Sequence, residues 1–137
     1  MPTSTVTYLG NLRTQATHIA SGATIITDAP IDNHGKGEAF SPTDIVSTAL
    51  ANCMITIMGI AANTHHINIL NTTAQVTKIM SADAPRRIAE IIVNIQFPNT
   101  VEYSAKEKQL LERAALTCPV GLSLHPNVKQ SITFKYE

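Results

Sequence analysis

The sequence predicts an α+β fold with the element order β-β-β-α-β-β-α-β. Three observations carry this. Thr, Val, Ile and Tyr crowd the first 26 residues between glycine-bearing turns. A long, nearly chargeless run then opens on a helix-start signature at Ser41-Pro42-Thr43-Asp44. Two more strand-like runs follow, then an amphipathic helix and a final alternating strand.

From Thr5 to Ile26 the turn residues fall at Gly10-Asn11 and Ser21-Gly22, which reads as two or three antiparallel strands joined by hairpins. Residues 28–40, DAPIDNHGKGEAF, form a loop. Loops this long in a small domain are functional or packed against a partner. Ser41 is a good N-cap, Pro42 suits the first helical position, and Asp44 sets a negative charge against the positive helix end. This helix should run to about Thr64. After Asp44 it carries no charge until the histidines, and a helix apolar nearly all round is central in a small fold or sandwiched in a dimer. Ser47, Thr48, Asn52, Thr56 and Gly59 interrupt its apolar run, so it reads as a buried helix and not a membrane span.

INILNTTAQVTKIM and RRIAEIIVNIQFP are the next two strand-like runs, with the turn at Asp83, Ala84 and Pro85. A second helix starts near Ser104 or Ala105 and reaches Cys118, with Leu110, Leu111, Ala114 and Ala115 on one face. Pro119 and Gly121 should stop it. The last strand, KQSITFKYE, alternates Ile132 and Phe134 with polar neighbours.

The 137 residues suit one domain, spanning 1–137, with a single apolar core. Hydrophobic residues are 44% and charged residues 15%, the composition of a globular chain. A formal net charge of zero removes the electrostatic argument for nucleic acid or an anionic membrane as partner. The same low charge leaves a surface that supports oligomerisation. The N-terminus MPTSTVTYLG lacks the basic and apolar segments of a secretory signal, and the expected compartment is the cytoplasm. A lasting structural disulfide is not expected there, so the two cysteines are core residues, metal ligands or redox groups.

Cys53 lies mid-helix, with Ala49, Leu50, Thr56 and Ile57 three and four positions away. Taken alone it reads as a small core hydrophobe, since free cysteine is among the most buried residue types. Cys118 stands at a helix end, an ordinary place for a cysteine. Their separation of 65 residues says nothing about contact. Neither belongs to a C-x-x-C pair or has a histidine within four residues, which argues against zinc. His65 and His66 suit the C-terminal end of the first helix as cations. Gly35-Lys36-Gly37 is too short for a phosphate loop, and the tyrosines do not interleave with a basic patch.

SPTDIVSTALANC and CPVGLSLHPNV, with the order of elements, resemble the OsmC/Ohr family of thiol-dependent hydroperoxide reductases. Pro42 lies eleven residues before Cys53, as in the family pattern, and Cys118, Pro119, Val120, Leu124, Pro126 and Val128 match its second motif. The resemblance covers nearly the whole chain. It implies two antiparallel sheets around two central helices in an intertwined homodimer. It also implies a peroxidatic cysteine at Cys53 and a resolving cysteine at Cys118. The thiolate would attack the O–O bond and become a sulfenic acid, which the second thiol condenses to a disulfide. The substrate would be an organic hydroperoxide, favoured over hydrogen peroxide by the apolar run around Cys53. The role would be defence against oxidative stress. The reductant would be a dithiol, a lipoyl protein or a thioredoxin-like one, with no metal or organic cofactor needed.

Such chemistry needs a cation, because a free thiol with pKa about 8.5 is mostly protonated at neutral pH. Arg13, nine residues before Gly22, holds the position that the organic-hydroperoxide branch gives its arginine; taken alone it reads equally as a solvated strand arginine. Lys36 is the only fixed cation of the long loop. The chain departs from the family at Thr43, where a glutamate would hold the arginine. Glu38 is the carboxylate given a catalytic role in its place, with Asp44 as the other candidate, unless Asp44 serves only as a helix-start charge. Two other readings keep the same fold: a non-catalytic protein binding an apolar ligand, and a redox sensor whose disulfide changes a surface.

Overall fold

The computed structural model describes residues 1–137. The elements run β1 (Ser4–Gly10), β2 (Arg13–His18), β3 (Thr24–Asp28), a 3₁₀ turn (Ile31–Asn33) and α1 (Pro42–His65). Then come β4 (Thr73–Met80), β5 (Ile88–Gln96), α2 (Ala105–Ala115), α3 (Pro119–Ser123) and β6 (Lys129–Lys135). The α+β class and the expected order hold; α3 and the 3₁₀ turn are additions. Residues 1–46 and 47–137 form two compact units.

In the first unit β1, β2 and β3 make an antiparallel sheet in chain order. Both hairpins sit where the turn residues mark them. Asn11 and Leu12 have φ of 56° and 63°, the paired left-handed conformation that matches strand twist in a tight hairpin. At the second turn the His18 N–H donates to the Ala23 carbonyl at 2.8 Å. This register sets Arg13 directly opposite Asp28. The following loop folds back on the sheet end: the Asp28 N–H donates to Phe40 O at 3.1 Å and the Gly37 N–H to Ala29 O at 3.2 Å. Gly35 must be glycine here, because a Cβ would stand 1.7 Å from the Ala29 carbonyl oxygen.

The start of α1 behaves as its sequence demands. The Asp44 N–H donates to Ser41 Oγ at 3.1 Å, and the Ser41 N–H donates to Asp44 Oδ2 at 3.0 Å. This reciprocal pair caps the helix. The helix is long and apolar enough to cross a bilayer, with mean hydropathy 1.9 over its best window. Its Leu50, Met54, Met58 and Ala62 instead form one face of the core in the second unit.

In the second unit β4 pairs antiparallel with β5, but β5 pairs parallel with β6. The sheet is therefore mixed rather than antiparallel throughout. The chain leaves β5, crosses through α2 and α3 and returns on the same heading, the long crossover that parallel pairing requires. Ile91, Val93 and Ile95 alternate inward from β5 and meet α1 together with Leu111 and Ala115 of α2. Phe97 stacks on Tyr136 at 4.5 Å between centroids and meets Tyr103 edge-on at 5.5 Å. The expected first strand after α1 is shorter than its sequence suggested. Residues 67–72 turn instead, with the Leu70 N–H donating to Asn68 Oδ1 at 3.0 Å and Asn71 at φ 70°.

The second helix ends at Ala115, not at Cys118. Pro119 does not stop a helix; it begins α3, where a proline's fixed φ and missing N–H fit the first position. Cys118 is the N-cap of that short helix, and this sets the geometry of the thiols.

Candidate functional site

The second unit brings Cys53 and Cys118 together. Both are free thiols; Cys53 is partly exposed and Cys118 is 2% exposed. The Val120 N–H donates to Cys53 Sγ at 3.5 Å, and the Gly121 N–H donates to Cys118 Sγ at 3.3 Å. Consecutive amides of Cys-Pro-Val-Gly thus serve one sulfur each, and the sulfurs are close enough to affect each other. Burial pushes the Cys118 thiol above its ordinary pKa; the Gly121 N–H pulls it down and the neighbouring Cys53 pushes it up again. Gly121 leaves the space that Cys118 needs, since a Cβ there would lie 3.3 Å from Cys118 Sγ and 3.4 Å from Leu50 Cδ1. Gln130 of β6 holds this turn from outside, its Nε2 donating to the Gly121 carbonyl at 3.0 Å.

The arrangement separates the two sulfurs chemically. A buried thiol held protonated is a poor first nucleophile. Cys53 is the more exposed of the two and has an amide aimed at its sulfur.

The first unit brings Arg13 and Glu38 together and adds a residue that sequence reasoning missed. Arg13 donates through Nε to Asp28 Oδ1 at 2.7 Å and through Nη2 to Asp28 Oδ2 at 2.8 Å. A further Nη2 bond reaches Glu38 Oε1 at 3.1 Å. The side chain of Asp28 is 1% exposed and that of Glu38 is 64% exposed. The Glu38 N–H closes the group by donating to Asp28 Oδ2 at 3.1 Å. Asp28 is therefore the principal partner of Arg13, and Glu38 a second, solvent-screened one. The hairpin register held the signal: a four-residue loop between His18 and Ala23, containing Ser21-Gly22, pairs residue 13 with residue 28. Asp44 serves as the helix cap described above, and the Thr43 hydroxyl lies 3.2 Å from Ser41 Oγ. Lys36 adds a weaker charge that favours ionised Asp28.

The Arg13 guanidinium holds the Asp28 carboxyl below the usual carboxylate range. A depressed folded-state pKa gives stability that is present above the unfolded value, about 3.9, and is lost as pH falls through the folded value. The urea midpoint of the wild type should therefore decline below about pH 4. The Asp28→Asn variant should start lower and decline less over the same interval. Parallel pH profiles for the two proteins would contradict this.

A cleft of about 500 Å³ lies elsewhere. Ala61, Leu110, Arg113 and Ala114 are among its lining residues, and neither cysteine is. The thiols sit against the N-terminal turn of α3.

Two cysteines joined through consecutive backbone amides, on a β-β-β-α-β-β-α-α-β scaffold, define a two-thiol α+β protein. The chain belongs to the OsmC-like protein family, whose pattern matches residues 35–133. A candidate osmotic stress induced and detoxification response protein of Psychrobacter arcticus 273-4 is 52% identical, with TM-score 0.92 over 98% of this chain and 96% of that one. The organic hydroperoxide resistance protein OsmC of Legionella pneumophila shares the fold at 14% identity and TM-score 0.75, over 98% of each chain. An organic hydroperoxide resistance protein of Elizabethkingia anophelis does so at 14% identity and TM-score 0.76, over 100% of this chain and 98% of that one. Among curated proteins none matches. Proteins that share this fold thus include organic hydroperoxide resistance proteins.

Proposed function

We propose that the protein is a thiol-dependent peroxidase that reduces organic hydroperoxides. Supporting this is the Val120 N–H donating to Cys53 Sγ while the next amide holds Cys118 Sγ. The Cys53 thiolate attacks the outer oxygen of R–O–O–H. The O–O bond breaks, Cys53 becomes a sulfenic acid, and RO⁻ takes a proton and leaves as the alcohol. Cys118 sulfur then displaces hydroxide from Cys53, forming the disulfide and water. An external dithiol, on a lipoyl or thioredoxin-like protein, returns both thiols and is itself oxidised. The family resemblance gives Arg13 the part of the activating cation, and Glu38 makes a second, exposed contact to that arginine. The protein works in the cytoplasm, without nucleic acid or membrane.

The test is mass spectrometry of the reduced protein after one equivalent of cumene hydroperoxide, with Cys118→Ser beside it. A Cys53–Cys118 disulfide in the wild type and a sulfenic acid on Cys53 in the variant are expected. Two thiols that stay free in both organic and hydrogen peroxide would end this reading in favour of ligand binding. One equivalent consumed with no turnover under any dithiol would leave a redox sensor.

The working form proposed is a homodimer. The register of β1, β2 and β3 puts Val6, Tyr8, Ala16 and Ile25 on one face of the first sheet. Val6, Tyr8 and Ile25 are each more than half exposed. A three-stranded sheet needs an apolar face covered to be stable, and a second copy supplies the cover. Sedimentation equilibrium should give twice the 14.8 kDa chain mass. A monomer at micromolar concentration would rule this out.

A further inference from the structure

We propose that Asp28 is the positioning residue for Arg13: it grips the Nε–Nη2 edge of the guanidinium and leaves Nη1 as the edge open to a ligand oxygen. This rests on the role given to Arg13 above. The three bonds made by the guanidinium use Nε once and Nη2 twice, and none uses Nη1. Two parallel bonds to one carboxylate fix the plane of the fork as well as its place. An arginine side chain that is 30% exposed would otherwise keep much of its rotamer freedom.

The anchor is itself fixed. Asp28 lies directly opposite Arg13 in the β2–β3 register and accepts the Glu38 N–H at 3.1 Å. A carboxylate this buried is stable only when paired, so Asp28 and Arg13 hold each other. Glu38 makes one bond from an exposed side chain and adds little orientation. The carboxylate that orients this arginine therefore comes from the end of β3, not from the loop or the helix start.

The experiment uses the full chain and two readouts. The first is the ¹⁵N NMR signal of the Arg13 Nε–H, which should exchange slowly with solvent in the wild type and fast in Asp28→Asn. The second is turnover of cumene hydroperoxide with dihydrolipoamide. Asp28→Asn should lose on the order of 10²-fold in kcat/KM, the scale of a misplaced catalytic group. Glu38→Gln should lose less. In an Arg13→Met background Asp28→Asn should cost nothing further, because its effect passes through the arginine.

Folded Asp28→Asn with wild-type turnover would overturn the proposal. So would a loss that adds in full to that of Arg13→Met. If Asp28→Asn does not fold, Asp28→Glu replaces it, and unchanged turnover there is equally fatal. If the wild type itself reduces no peroxide, the peroxidase reading fails separately. The Nε–H exchange then decides the positioning alone: slow only with Asp28 present supports it, and fast in both proteins refutes it.

Discussion

The Cys53→Ser variant is expected to reduce cumene hydroperoxide no faster than buffer, a loss on the order of 10³-fold or more when the nucleophile of a covalent mechanism is removed. Serine is nearly the same size, so the half-buried position on α1 should tolerate it and the fold should persist. What is lost is the ionisable sulfur beside the Val120 N–H. The Cys118→Ser variant should behave differently. It should form the Cys53 sulfenic acid at a rate close to that of the wild type, because the O–O bond is broken before Cys118 acts, and then fail to form the disulfide. Rapid-mixing measurements of peroxide loss, with trapping of the sulfenic acid, separate the two. The roles would have to be exchanged if Cys118 were oxidised in Cys53→Ser. Burial of Cys118 and its raised pKa argue against that exchange, since a protonated thiol 2% exposed competes poorly for peroxide.

Much of this was legible in the sequence where a local rule acts on consecutive residues. Ser41, Pro42 and Asp44 announced the start of α1 because capping depends on those side chains alone. Gly10-Asn11 announced its hairpin because few residues accept left-handed backbone. The parallel pairing of β6 with β5 was not legible, because strand direction is fixed by a crossover of some thirty residues and not by the strand's own pattern. Pro119 carried two meanings, helix stop and helix start, and only the capping bond from the Gly121 N–H to Cys118 Sγ chooses between them. The site followed the same division. Cys53 and Cys118 were visible through their motifs. Glu38 does reach Arg13, as expected, but as an exposed second contact. Asp28, the stronger partner, stood inside a stretch read as the start of a loop. Its role emerges only when the hairpin is counted through to the opposite strand.

Leu50→Ala should be the most damaging apolar substitution for both stability and chemistry, because Leu50 belongs to the core and to the floor of the thiol pair. Its side chain is fully buried among the residues that join α1 to β5 and α2. It lies one turn from Cys53, and its Cδ1 would stand 3.4 Å from a Cβ placed on Gly121, so it lies against the turn that presents Val120 and Gly121. Truncation removes three carbons and leaves a cavity, at a cost of about 3 kcal/mol. The urea midpoint should fall with the slope unchanged, since the same surface is exposed on unfolding. The second effect is kinetic. A looser floor under α3 lets the Val120 and Gly121 amides drift from their sulfurs, and disulfide formation should slow more than sulfenic acid formation. The sulfenic acid then accumulates and can be trapped by dimedone, although both cysteines are intact. A large stability loss with unchanged disulfide kinetics would mean that α3 holds its geometry without Leu50. The Gln130 bond to the Gly121 carbonyl would then be the support that matters, and Gln130→Ala should reproduce the kinetic defect without the stability loss.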